Sequence, residues 1–305
     1  GYSFPKTRPG TSVSALPPDY RLKYDGNGKL EWVDVNAVTG IISDVIDSLD
    51  NLGDATIEYN SIYLGNTPQN KTSDAKYNVG IGIESLKSIT TGENNTAIGY
   101  NPLFSNQTGN GNPAIGRASL PYNTQGNANT SIGMNSMFQN QTGSSNTAVG
   151  NNTLFKNTGS SNTAVGNNSL FNNLNGTANI AIGFNSFKEN TDGSSNIAIG
   201  QNAGNSDASN NNNTSSNSSI FIGQNTKTLS ANRTNEIVIG TDATGKGSNT
   251  AVLGNNNIDS TFLNGDVKIK NGNLIVTENG NQAGGNVYFK DLEQTSYPNY
   301  QKIVI

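Results

Sequence analysis

One short phrase returns along this chain at a nearly constant step. Asn95-Thr96-Ala97-Ile98-Gly99 comes back as Asn146-Thr147-Ala148-Val149-Gly150, as Asn162-Thr163-Ala164-Val165-Gly166 and as Asn196-Ile197-Ala198-Ile199-Gly200. The closing glycines stand at 65, 82, 99, 116, 133, 150, 166, 183, 200, 223, 240 and 254, so nearly every step is 17 or 16 residues, with one of 23 and one of 14. A fixed short period means similar coils stacked on one another, a solenoid rather than a globule. Composition agrees: 32% of the chain is hydrophobic and 13% charged. Such a chain is either disordered or a β-repeat of short strands and many turns, and disorder requires no register.

Between Gly82 and Gly200 the template is tight. An asparagine sits four residues before each glycine, at 78, 95, 112, 129, 146, 162, 179 and 196. A second glycine lies seven before, at 92, 109, 126, 143, 159, 176 and 193, and a bulky apolar residue four after, from Leu86 and Leu103 to Leu170 and Phe187. This spacing predicts two strand-like pieces per coil and two corners, where glycine adopts positive φ without strain. Gly82, Gly99, Gly116, Gly133, Gly150, Gly166, Gly183 and Gly200 are the corner residues on this reading. Parallel stacking at about 4.7 Å would align the asparagines into a ladder whose amides bond up and down. The x-Ala-Ile-Gly strand carries small or apolar groups on both faces. One face can meet the Leu/Phe side of its own coil, and the other calls for another copy of the chain.

The ends differ from the middle. Residues 1–35 read as an extended arm with Pro5, Pro9, Pro17 and Pro18, followed by a hairpin that turns at Asp25-Gly26-Asn27-Gly28. Tyr2, Phe4, Leu16, Tyr20 and Trp32 are its candidate attachment residues. Residues 36–53 carry Val38, Ile42, Val45, Leu49 and Leu52 at steps of 4, 3, 4 and 3, a two-heptad trimerisation seam. β-branched residues at d tilt such a seam toward three strands. Residues 54–254 form the repeat, and 255–305 a non-repetitive β-rich segment with a hairpin signal around Asn271-Gly272-Asn273. The 23-residue step predicts an outward loop at Ser206–Ser218.

Several chemistries find no residues here. The chain has no cysteine and no histidine, which excludes disulfides, thiol nucleophiles, thiolate metal sites and imidazole acid–base work. No cofactor or metal is expected. A net charge of −4 gives no basic field for nucleic acid, and no apolar run is long enough to insert in a membrane as a helix. Glycoside cleavage needs two carboxylates about 5–9.5 Å apart. Glu189 and Asp192 are close in sequence, but adjacent solvated turn charges explain them better. Threonines 96, 130, 147 and 163 form a row suited to ice binding, but Pro113 and Ile180 interrupt it.

Stretches such as NTAVGNNTLFKNTGSS resemble the head repeats of trimeric autotransporter adhesins, and still more the shafts of bacteriophage tail fibres built on that plan. The resemblance covers about residues 61–254. It implies a left-handed parallel β-roll in which three chains share one axis. Together with the heptad seam and the C-terminal β-rich segment, the fold expected is all β, with a short trimeric coiled coil before the roll and a β-rich segment after it. The function that the resemblance implies is that of a structural and adhesive virion fibre, tail rather than head, with no enzyme activity. Its partners would be itself, a baseplate, tail or capsid component held by the N-terminal arm, and a glycan or outer-membrane component of a host cell. Its place would be the virion surface. The alternative is a bacterial trimeric surface adhesin, displayed on the cell.

Overall fold

In the computed structural model the described residues are the strands Tyr20–Tyr24 and Leu30–Asp34, then residues 55–65, 67–258 and 261–264. Among them the fold is all β, with no helix. Strands β1 (Tyr20–Tyr24) and β2 (Leu30–Asp34) pair antiparallel as the predicted hairpin, with Leu22 opposite Trp32. The seam at 36–53 and the segment after 264 lie outside the described residues, as do Tyr2, Phe4 and Leu16.

The repeat forms a parallel β-solenoid of about eleven turns. It opens on an antiparallel hairpin, β3 (Ala55–Glu58) with β4 (Ser61–Leu64). The two residues at its tip, Tyr59 and Asn60, have φ of 52° and 59°, as a twist-matched two-residue turn requires. Each following coil gives one three-residue strand: β5 (Val79–Ile81), β6 (Thr96–Ile98), β7 (Pro113–Ile115), β8 (Thr130–Ile132), β9 (Thr147–Val149), β10 (Thr163–Val165), β11 (Ile180–Ile182) and β12 (Ile197–Ile199). The stack continues through β14 (Ile220–Ile222), β16 (Ile237–Ile239) and β17 (Ala251–Leu253). In register, Ala97 lies over Ala114, Ala148 over Ala164, and Ala181 over Ala198. With parallel strands about 4.8 Å apart, eleven of them make a shaft of roughly 50 Å.

The middle residue of each strand points inward against the bulky residue of the far side, so Ala97, Ala148 and Ala181 are fully buried with Leu103, Leu154 and Phe187. That far side is not the second strand the spacing predicted. Leu103, Leu120, Met137, Leu154, Leu170 and Phe187 all sit in the left-handed region, with φ between 47° and 52°. A left-handed residue breaks the pleat, yet its N–H still reaches the next coil: Leu103 N donates to Ser119 O at 3.1 Å and Leu154 N to Ser169 O at 3.0 Å. The conformation is unfavourable for a branched apolar residue. It persists here because it buries the side chain and satisfies the amide together.

Two exchanges of bulk keep this thin core filled at its ends. Where the strand's inward residue shrinks to Gly80, Tyr63 in the coil before it fills the space. Where the far-side residue shrinks to Gly204, Phe221 replaces the usual alanine, and its ring stands 6.0 Å from that of Phe187. Volume is conserved across neighbouring coils although each position varies, as close packing requires.

The buried asparagines form the expected ladder. Asn129 Oδ1 accepts from Asn146 N at 3.0 Å and from Asn146 Nδ2 at 3.1 Å, while Asn146 Nδ2 also donates to Gly159 O at 2.9 Å. Each rung thus satisfies corner amides that would otherwise be buried unpaired. The ladder changes character at its end, where fully buried Glu236 takes the asparagine position. Its carboxylate accepts from Thr228 Oγ1 at 2.6 Å and from Gly247 N at 2.8 Å.

The long coil is narrower in its excursion than predicted. β13 (Ser206–Asp207) pairs parallel with β15 (Lys227–Thr228), and Asp207 Oδ1 accepts the amides of Ser209 and Asn211, each at 2.9 Å. Burial opposes the charged form of Asp207, but these bonds and the Lys227 charge outweigh it and hold its carboxyl below the usual range. From Asn213 the chain is back in the stack, with Asn213 and Ser216 buried and Thr191 N donating to Thr214 O at 2.9 Å. Replacing residues 208–210 by two glycines is therefore expected to leave the melting temperature nearly unchanged, while deleting 213–216 should abolish cooperative melting. Equal effects in the two thermal scans would place the structural boundary elsewhere.

Candidate functional site

The outward positions of the strands make the most conspicuous surface. The residue just before each corner glycine is Ile81, Ile98, Ile115, Ile132, Val149, Val165, Ile182, Ile199, Ile222, Ile239 or Leu253. These stack in register into an unbroken apolar row along the shaft, and Ile132, Ile182 and Ile199 are each still 38–39% exposed. A second row on the same face runs through Thr96, Thr130, Thr147 and Thr163 and turns apolar at Ile180, Ile197, Ile220 and Ile237. A contiguous apolar strip of this length is characteristic of an interaction surface.

The corner glycines beside that row are fixed by geometry. Gly82, Gly99, Gly116, Gly133, Gly150, Gly166, Gly183 and Gly200 have φ between 113° and 140°, and each is capped by the backbone of the next coil's glycine. The glycines seven residues earlier do not share the positive φ. At Gly143 a Cβ would collide with Asn140 Oδ1 and Gly159 O, so space, not backbone freedom, excludes a side chain there. This corrects the expectation that both glycine rows are conformational corners.

Of the arm residues, Tyr20 opens β1 and Trp32 is the middle residue of β2. The carboxylates that enter the glycosidase argument bond between coils. Glu189 pairs with Lys188 at 3.1 Å and accepts from Asn172 Nδ2 at 2.8 Å. Asp192 accepts from Asn175 Nδ2 and Thr191 Oγ1, both at 2.8 Å, which hold its carboxyl below the usual carboxylate range. Among the described residues no group of three or more acidic side chains could hold a metal ion, and no helix is long and apolar enough to cross a membrane.

Two features of the opposite corner escape a reading of the sequence. Phe138, Phe155 and Phe171, five residues after successive corner glycines, stack with ring centroids 4.9 Å apart and nearly parallel planes. The recurring Leu-Phe and Met-Phe pairs were the signal available for this, but without the fold they do not show which member turns outward. Beside the head of this stack lies a cleft of about 460 Å³, whose lining includes Tyr100, Phe104, Arg117, Ala118 and Tyr122. Tyr122 meets Phe138 edge-on, with centroids 5.1 Å apart at 89°. Compared with protein-family models, curated proteins and solved structures, the chain matches none of them.

Proposed function

We propose that this chain is a structural and adhesive fibre protein of a virion, a homotrimer in which three solenoids pack their apolar rows together about one axis. The observation that carries the reading is the unbroken Ile/Val row, which a single chain leaves in water along roughly 50 Å of shaft. Burying it between chains stabilises by about 25 cal/mol per Å². The alternating Asn, Ser and Thr of the remaining surface suit a soluble spacer. The arm at 1–35 docks to a tail, baseplate or capsid component, since its proline-rich part, residues 1–19, has few strand formers and no core of its own to bury, and segments of that kind order on a partner surface. On this reading the shaft is a left-handed β-roll, the fibre is a tail fibre rather than a head fibre, and the tip after Gly254 contacts a host glycan or outer-membrane component. The reading assigns no catalytic step to the chain.

Light scattering of the purified protein tests the assembly directly. The expected particle contains three 32.0 kDa chains. A stable folded monomer at micromolar concentration would overturn the trimer and the fibre with it. Removing residues 1–19 and following incorporation into particles tests the docking end. Normal incorporation of the truncated trimer would show that the arm is not the anchor.

A further inference from the structure

The cleft at the head of the phenylalanine stack has a structural cause. Two residues after each corner glycine stands a row of left-handed residues, and in most coils these are asparagines bonded to one another: Asn135 Nδ2 to Asn152 Oδ1 at 3.1 Å, and Asn168 Nδ2 to Asn185 Oδ1 at 3.2 Å. The row fails at Ala118, which keeps the same backbone with a φ of 50° but has no amide to offer. Glu84, at the equivalent place two coils earlier, is an acceptor when ionised and is paired with Lys87 at 2.6 Å. Asn101 between them is left with a buried Oδ1 that has no hydrogen-bond partner. A missing side chain therefore makes the cleft, and an unsatisfied polar atom lies in its wall.

The walls supply recognition chemistry. Tyr100 and Tyr122 are 49% and 46% exposed, and their rings flank the opening, with Tyr122 braced edge-on against Phe138. Phe104 forms part of the lining, and Lys87 Nζ lies 5.0 Å from its ring centroid. Aromatic faces with a few convergent polar groups are the composition of a small-ligand site, and the volume lies within the usual range of about 300–1,000 Å³. Arg117 is exposed on the rim and has no ion pair among the described residues, while the one carboxylate in the lining is neutralised by Lys87. The local charge is thus positive in a protein of net charge −4. A guanidinium in such a place selects a carboxylate, which it can hold with two parallel hydrogen bonds.

We infer that this cleft binds an acidic saccharide: the tyrosines pack against the apolar face of a pyranose ring, the Asn101 and Asn135 amides meet its hydroxyls, and Arg117 takes its carboxylate. This rests on the adhesive reading above and moves receptor contact from the tip to the side of the shaft.

Isothermal titration of the full-length protein tests it with three acidic probes, a hexasaccharide of alternating glucuronate and N-acetylglucosamine, trigalacturonate and sialyllactose, against neutral lactose and maltohexaose. Saturable binding of at least one acidic probe at one site per chain is expected, at least tenfold tighter than either neutral sugar. Ala118→Asn restores the asparagine row and fills the cleft, so it should weaken that binding at least tenfold while the melting temperature stays level or rises. Arg117→Gln should bring the acidic probe down to the neutral level. No saturable binding of any acidic probe overturns the inference, and so does undiminished binding by Ala118→Asn. Equal binding of neutral and acidic sugars overturns the assignment of an acidic ligand. Mass measured on the same sample separates the two readings. A trimer that binds no sugar sinks this site alone. A monomer sinks the fibre but not the site, whose lining belongs to one chain.

Discussion

Gly150→Ala is expected to lower the melting temperature far more than a methyl added where the coil leaves room for it. Two effects act together. The residue has a φ of 140°, where an L side chain is strained by roughly 1–3 kcal/mol. Its new Cβ would also stand 2.5 Å from Gly166 O and 2.8 Å from both Gly166 C and Thr153 Oγ1. The carbonyl cannot retreat, because Thr153 Oγ1 donates to Gly166 O at 2.8 Å and the strands on either side are in register. Opening the coil spacing would break ladder bonds in both directions, so the total should reach the exceptional class of about 4 kcal/mol or more per chain. Gly111→Ala separates the two contributions. Gly111 has a φ of 64° with nothing within 4 Å of a built Cβ, and alanine already occupies the equivalent place at Ala128 and Ala178 with φ of 53° and 55°. That change should cost about 1 kcal/mol or less. Thermal melts of both variants at one scan rate check the pair, and equal shifts would mean that coil-to-coil contact at Gly150 is not limiting.

Ile132→Lys together with Ile199→Lys is expected to dissociate the proposed trimer and leave the solenoid folded. Each isoleucine is 38% exposed in the single chain, so a lysine there can extend its ammonium into water along the apolar row. In a three-chain bundle the same positions place six ammonium groups in an apolar contact without partners. An uncompensated buried charge costs on the order of 3–5 kcal/mol, which exceeds what the neighbouring contacts can absorb. The two sites are four strands apart, so their lysines do not repel one another within a chain. Light scattering should report a single chain with an unaltered β spectrum in circular dichroism, whereas Gln125→Lys, on an exposed turn, should leave the mass of the assembly unchanged. A double variant that keeps the wild-type mass would show that the apolar rows do not hold the chains together.

The period, the strand register, the inward alanines and leucines and the asparagine ladder were all legible in the sequence. The physical reason is that in a solenoid the tertiary neighbour of a residue is the equivalent residue one period away. Spacing alone therefore states that Asn129 meets Asn146 and that Ala148 lies over Ala164. What varies from coil to coil was not legible. The far side of each coil reads as a strand because leucine and phenylalanine favour one, yet its leucines are left-handed, a choice made by burial and by an amide that must reach the next coil. The earlier glycines read as corners, but collision with Asn Oδ1 and a neighbouring carbonyl is what requires them. The exchange of bulk between Gly204 and Phe221 and the unpartnered Asn101 Oδ1, left by a Glu84 that has no amide to donate, depend on contacts across coils. A periodic sequence thus determines the average coil. Each departure from the average takes its meaning from the coils above and below, because packing and hydrogen bonding act between coils and not along the chain.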